Sequence, residues 1–298
     1  MYCYVKRRKV LEGINDTKVL GQKPKKNVKG AMAGLAAGMA AQTAAFPIGM
    51  YAVNKMAKYS KSLSQDQVNI VNSAADNILS NVTNLKEKGV EIIHMTKENA
   101  MGITDLFNIR LPECLKNLVD MQHATANGKN AFFLSLTNTV NINRDKLPLA
   151  VFHELGHAYN FHNSGFWKAM QKLRGPGMAL AGLLALIPIF TKEHKAQDGK
   201  ELTKGQKFKN KLRNASPILA FASMLPMLGE EAMASIRGCK WAKQLLDKNL
   251  FKKVTKGNAI AYCSYLATAL GFAAFAFVAK KVKDHFQAKN EAEALKAN

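Results

Sequence analysis

The sequence predicts an α+β chain, predominantly helical, in which a domain built on a short sheet is joined to about four transmembrane helices. Three observations predict it. Four stretches of 16 to 25 residues carry no charge. Between the first of them and the others lies a mixed segment with both helical and alternating periodicity. Within that segment five residues, His153-Glu154-Leu155-Gly156-His157, set metal-ligating side chains one helical turn apart. A length of 298 residues accommodates one such domain plus the spans.

In chain order, residues 1–29 form a basic tail with 9 Lys/Arg against 2 acids. Residues 30–54, GAMAGLAAGMAAQTAAFPIGMYAVN, are uncharged over 25 positions and are expected to form a transmembrane helix. Gly30, Gly34 and Gly38 repeat a G-x-x-x-G step that lets helices pack backbone to backbone in lipid. The long basic lead distinguishes this stretch from a secretory signal.

Residues 55–174 read as the main domain. Ser64 with Gln67 makes a capping box, and Val68, Val71, Ala75, Ile78, Val82 and Leu85 recur at helical spacing until Gly89 ends the run. Val90 to Met95 predicts a short strand, and residues from about 100 to 125 a helical stretch. Asn127-Gly128 marks a turn. Ala131 to Ile142 alternates, is rich in Phe, Thr and Val, and predicts one strand. It lies just before the 153–157 cluster, where the edge of such a strand would pair with an extended peptide. No internal repeat is evident.

The cluster is an H-E-x-x-H motif. On a helix His153 and His157 share a face and can direct one ring nitrogen each at a single ion. Zinc accepts imidazole nitrogens at roughly 2.0–2.1 Å. Glu154 stands beside such an ion without ligating it, where it can take a proton from an attacking water. Asp145 is expected to cap the helix, and Pro148 suits its first turn. With 7 His and 12 Glu in the chain, a chance match is expected at roughly 1%. The plain alternative is a core helix whose histidines only hydrogen-bond.

A catalytic zinc site wants a third protein ligand and one open position. A His ten residues after the first ligand is ruled out, because that position is Asn163 and His162 faces another side of the helix. No Asn-Pro or Leu-Asp-Gly segment of the intramembrane kind follows. What does follow is Gly229-Glu230-Glu231-Ala232-Met233-Ala234-Ser235. Read from Glu231 it is E-x-x-A-S, and here the chain resembles the membrane-bound gluzincin metalloproteases of the HtpX-like and CAAX prenyl protease group, whose third ligand opens E-x-x-A-D. It also resembles the YugP-like neutral zinc metallopeptidases, which carry E-x-x-A-S. The resemblance implies a zincin-like domain holding one Zn2+ per chain, with His153, His157 and Glu231 as ligands and Glu154 as catalytic base. Glu230 remains the alternative ligand, and both glutamates would also suit a helix N-terminus. In the family form the Asp orients a ligand; Ser235 stands in its place and would orient a His more weakly. Ala234 and Gly238 would let this helix approach the motif helix closely.

Between the two halves of the site lie two further uncharged runs, 175–191 and 214–229, separated by a basic loop 192–213 with 8 Lys/Arg against 3 acids. They predict a membrane hairpin over 175–229, and a buried or re-entrant hairpin is the alternative. Residues 230–257 then carry the third ligand. Residues 258–279 are uncharged and predict a last transmembrane helix, and 280–298 form a basic tail. The family resemblance implies a membrane hairpin at the same place.

The net charge of +22 gathers at the flanks of the apolar runs rather than in one patch. That pattern suits anionic lipid headgroups, and no nucleic-acid partner is expected. The four cysteines (Cys3, Cys114, Cys239, Cys263) have no C-x-x-C spacing and imply neither a disulfide framework nor a second zinc site. The expected protein is a multi-pass membrane metalloendopeptidase acting on a polypeptide in or near the bilayer. With four spans its zinc site falls outside the cytoplasm, whereas the family resemblance implies a cytoplasmic one. Two other classes remain open: a non-catalytic membrane helical bundle with a structural or vestigial metal site, and a soluble, basic, nucleic-acid-associated hydrolase.

Overall fold

Helix-forming sequence dominates the chain, and the computed structural model, which describes residues 24–44, 46–100, 113–196 and 201–296, is accordingly mostly helical with one small sheet. Two compact units make up the chain. One takes the described residues of 45–179 and 223–269. The other takes the described residues of 1–44, 180–222 and 270–298.

The first unit opens with α2 (Phe46–Lys61), which follows α1 (Pro24–Thr43) of the other unit. Helix α3 (Gln65–Asn77) starts on the expected capping box, with Ser64 and Gln67 bonding each other's backbone. The helix gives way to a π-helical turn at Ile78–Val82, so the apolar stripe does not run straight to Gly89. Val82 is exposed, whereas Val68, Val71, Ala75, Ile78 and Leu85 are buried as their spacing required. Strand β1 (Glu91–His94) follows Gly89, whose φ is +74°. Residues 101–112 lie outside the described part, and α4 (Glu113–Ala126) supplies the rest of the expected helix.

The single strand expected over 131–142 is a hairpin of β2 (Ala131–Leu134) and β3 (Thr139–Ile142). The chain reverses at Asn138, whose φ of 57° is a left-handed conformation that Asn tolerates. The sheet runs β1-β3-β2, with β1 parallel and β2 antiparallel to β3, so β2 is an edge. Helix α5 (Val151–Asn163) packs on it after a 3-10 turn at Pro148–Ala150. Asp145 does not cap this helix. The turn intervenes, Ala150 occupies the cap position without a side-chain bond, and Asp145 lies 3.6 Å from His94 instead. Val71, Ile78, Val140, Ile142, Phe152, Leu155, Trp241 and Leu250 form the core between these elements.

Helix α6 (Gly165–Phe190) begins in the first unit and passes into the second. There α7 (Lys204–Ala222) follows, and α8 (Leu225–Leu245) lies again in the first unit. Helix α9 (Lys248–Lys296) belongs to both. In the second unit the G-x-x-x-G face of α1 meets α9: a Cβ on Gly34 would stand 2.9 Å from the Ala279 carbonyl, and one on Gly38 would stand 3.1 Å from the Phe275 ring.

Four transmembrane helices were expected, and two described helices are long and apolar enough to cross a membrane, α6 and the Lys248–Glu293 part of α9. The stretch 30–54 is not one helix. It is divided between α1, which ends at Thr43, and α2, which starts at Phe46 and carries Pro47 in its first turn, where a missing N–H leaves no helical bond unmade. The run 214–229 is likewise divided at Ser223-Met224, with its first part continuing a helix that starts in the basic loop.

Candidate metal centre

Two close-packed helices build the site. A Cβ on Gly156 of α5 would fall onto the Ala234 backbone of α8, and one on Gly238 of α8 would come within 2.5 Å of the Phe152 carbonyl oxygen of α5. Each helix thus carries a residue without a side chain where the other's backbone lies. This is the approach expected from Ala234 and Gly238, made reciprocal by Gly156. It brings residues 70 to 82 positions apart into hydrogen-bonding contact.

His153 Nε2 lies 2.9 Å from His157 Nε2 and 3.0 Å from Glu231 Oε2, and His157 Nε2 lies 3.5 Å from the same oxygen. Tetrahedral ligands held at roughly 2.0–2.1 Å from zinc are separated by about 3.3 Å, so the three donor atoms form a triangle of the right size. The outward ring nitrogens are held as well. His153 Nδ1 meets Ser235 Oγ at 3.0 Å, and His157 Nδ1 meets Glu230 Oε1 at 2.7 Å. Partners of this kind fix the ring orientation of a metal-binding His.

The two adjacent glutamates therefore occupy different positions. Glu231 directs an oxygen at both Nε2 atoms, while Glu230 lies behind His157, where Asn160 Nδ2 also donates to it at 3.1 Å. Glu154 is buried beside the histidines, with its carboxylate within 4.8 Å of their ligand atoms.

Two residues that sequence reasoning did not single out complete the site. Arg174, from the first half of α6, donates to Glu230 Oε2 at 3.2 Å and to Glu231 Oε1. It occupies the Glu231 oxygen that faces away from the histidines. Tyr265 of α9 lines the same cleft as His153 and Glu154, a cavity of about 110 Å³ that also touches Met56 and Ala131. Its phenol is within electrostatic reach of Glu231, Arg174 and Glu154. Tyr159, His162 and Arg237 follow the motif segments closely in sequence but do not line this cleft. Arg237 stacks over the Tyr159 ring at 4.6 Å, which in turn meets Trp241.

The electrostatics favour positive charge at the three inward donors. Burial disfavours a charged His157, yet the Glu231 and Glu230 carboxylates outweigh it and push its pKa up to about 10. Burial equally opposes the Glu231 carboxylate, but His157, the hydrogen bond from His153 and Arg174 hold it well below its usual range. Glu230 is lowered on the same balance, by His157, Arg174 and Asn160. Two buried carboxylates facing one guanidinium leave excess negative charge, which draws a proton onto His157. A divalent cation at the three inward donors would take that proton's place. Neutral imidazoles plus a carboxylate suit zinc.

Compared with family models, with curated proteins and with solved structures, the chain matches none.

Proposed function

We propose that the chain is a membrane-anchored, zinc-dependent metalloendopeptidase of gluzincin type, similar to the HtpX-like and YugP-like groups. The observation that carries this reading is the convergence of His153 Nε2, His157 Nε2 and Glu231 Oε2 at 2.9–3.5 Å, with both outward ring nitrogens hydrogen-bonded and a carboxylate, Glu154, beside them. His153, His157 and Glu231 would hold one Zn2+ on a zincin-like domain. When bound, the metal supplies a Lewis acid that acidifies water and polarises a peptide carbonyl.

The chain's own residues do the rest. The Glu154 carboxylate takes a proton from the attacking water and delivers it to the leaving amine nitrogen. Ser235 and Glu230 hold the two imidazoles in the tautomer that leaves Nε2 free to ligate. Arg174 holds Glu231 Oε1, so that Oε2 alone faces the histidines. The Tyr265 hydroxyl, in the same cleft, is the donor assigned to the carbonyl oxygen as charge develops there. An extended polypeptide would add to the edge strand β2, whose Ala131 borders the cleft. The apolar helices α6 and α9 would anchor the enzyme in the bilayer and make membrane-associated polypeptides its substrates.

Zinc content by mass spectrometry on detergent-purified protein tests this directly. About one zinc per chain is expected in the wild type. It should fall sharply in Glu231→Ala and His157→Ala, and persist in Glu154→Gln with loss of peptide hydrolysis. A wild type without zinc sinks the reading. Zinc bound without any hydrolysis that depends on Glu154 would leave a structural metal site instead.

A further inference from the structure

The second unit holds a larger cavity, of about 530 Å³, whose lining combines the cationic Lys192, Lys209 and Lys283 and the imidazole of His194 with the apolar Ile189 and Phe190. Its size falls in the range of ligand pockets, roughly 300–1,000 Å³. It lies where α6 ends and the basic segment begins.

The cations are fixed there by the fold. Lys283 is buried, and its ammonium donates to the carbonyls of Ile189 at 2.5 Å and Thr191 at 2.6 Å, closing the C-terminal end of α6. An ammonium has three donors, so one remains. The segment after α6 is tied to α7 by Asn210, which accepts from the His194 backbone N–H at 2.9 Å and donates to its carbonyl at 2.7 Å. That tie sets Lys192 and His194 beside Lys209.

Glu193, between Lys192 and His194 in the chain, is not among the residues that line the cavity, and three other carboxylates are engaged elsewhere. Asp284 pairs with buried Arg213, Glu291 pairs with Lys195 at 2.7 Å, and Glu201 pairs with Lys207 at 2.9 Å. Among the described residues, neither Lys192 nor Lys209 has an ion-pair partner. A cavity that gathers three ammonium groups without a carboxylate in its lining, and that adds apolar wall to them, is built for an anion carrying hydrocarbon.

We propose that this cavity is a phosphate site, filled by the head group of an anionic phospholipid whose acyl chains follow the apolar wall, or by free phosphate. It stands whether or not the metal centre hydrolyses peptides.

The test uses the full chain purified in detergent, as wild type and as Lys192→Glu/Lys209→Glu. Both substituted residues are exposed, and far-UV circular dichroism serves as an independent check of the fold. Native mass spectrometry would measure retention of phosphatidylglycerol against phosphatidylcholine, and thermal unfolding would be followed with inorganic phosphate. A preference for phosphatidylglycerol of tenfold or more in the wild type, lost in the double variant, supports a lipid site. Stabilisation by inorganic phosphate in the wild type only, with both lipids retained alike, supports the site with a soluble occupant. A wild type with neither response, or a double variant that keeps the wild-type response, overturns the proposal.

Discussion

Each inward donor of the metal centre has a partner that fixes it, and those partners can be ranked by what they hold. Ser235 gives His153 Nδ1 a neutral hydroxyl, whereas His157 Nδ1 meets the Glu230 carboxylate. A carboxylate orients and polarises an imidazole more strongly than a hydroxyl does. Glu230→Gln should therefore weaken zinc affinity by about 10–100-fold, and Ser235→Ala by less, in competition titrations with a chelating dye. Equal losses in the two would show that charge is immaterial at this position. Tyr265→Phe should keep zinc and lower kcat by about 10²–10³, the usual cost of removing a donor to a developing oxyanion; an unchanged kcat would remove Tyr265 from that role. The proposed metal would have its own pH signature. In the metal-free protein the folded pKa of His157, about 10, exceeds the reference value of 6.5. Its stabilising contribution is therefore complete below about 6.5 and is lost as pH rises through 10. A bound metal would replace the proton and remove that loss. The gap between the unfolding midpoints of loaded and chelated protein should widen from pH 6.5 to 10, and a constant gap would contradict the raised pKa. His153, Glu154, His157, Glu231 and Ser235 were legible in the sequence because each belongs to a short motif. Arg174 and Tyr265 were not. Arg174 is the last charge before an uncharged run, and Tyr265 is one aromatic among several in another. Only the packing of α6 and α9 brings them to the cleft.

At the scale of elements, the α5–α8 pair carries the site, and its close approach depends on two glycines. Gly156 lies on the Ala234 backbone and Gly238 on that of Phe152. An added methyl has backbone in front of it rather than a movable side chain, so the helices must separate. Overpacking of this kind costs about 1–3 kcal/mol, and the Nε2–Oε2 triangle would open with it. Gly156→Ala and Gly238→Ala should each lower the unfolding midpoint and bind zinc substoichiometrically. Gly165→Ala, which meets no atom within 4 Å, should do neither. Normal zinc content in Gly156→Ala would show that the helix spacing is not set by this contact. Local chemistry made several of these elements readable, among them the capping box at Ser64, the turn at Gly128 and the strand that ends at His94. It misread others where a reversal lacked a strong signal. The alternation of 131–142 continues on both sides of the Asn138 reversal, so a hairpin looked like one strand. The absence of charge over 30–54 said nothing of the break before Pro47.

For the whole molecule, the exposed apolar surface is what bears on the solvent. Along α6, Leu180, Leu183 and Phe190 are 48%, 66% and 80% exposed, and along α9 Leu270 and Phe277 are 51% and 53% exposed. Isolated exposed apolar residues are ordinary, but rows of them along helices long enough to cross a bilayer are not. Each such side chain left in water forgoes about 25 cal/mol per Å² of apolar area, and lipid removes that cost. The charge is placed to match, with basic segments rather than acidic ones following the apolar part of α6 and flanking that of α9. The chain should therefore remain in the membrane pellet after alkaline carbonate and be released by detergent. Leu183→Lys combined with Phe277→Lys adds about 2.5–3.5 kcal/mol per site if these positions lie mid-bilayer, and should shift the chain into the carbonate supernatant or out of the membrane during synthesis. Lys168→Ala/Lys172→Ala, on the same helix but before its apolar part, should leave the partition unchanged. Release of the wild type by carbonate alone would mean that these helices are covered by protein rather than lipid, and the basic flanks would then need a different partner.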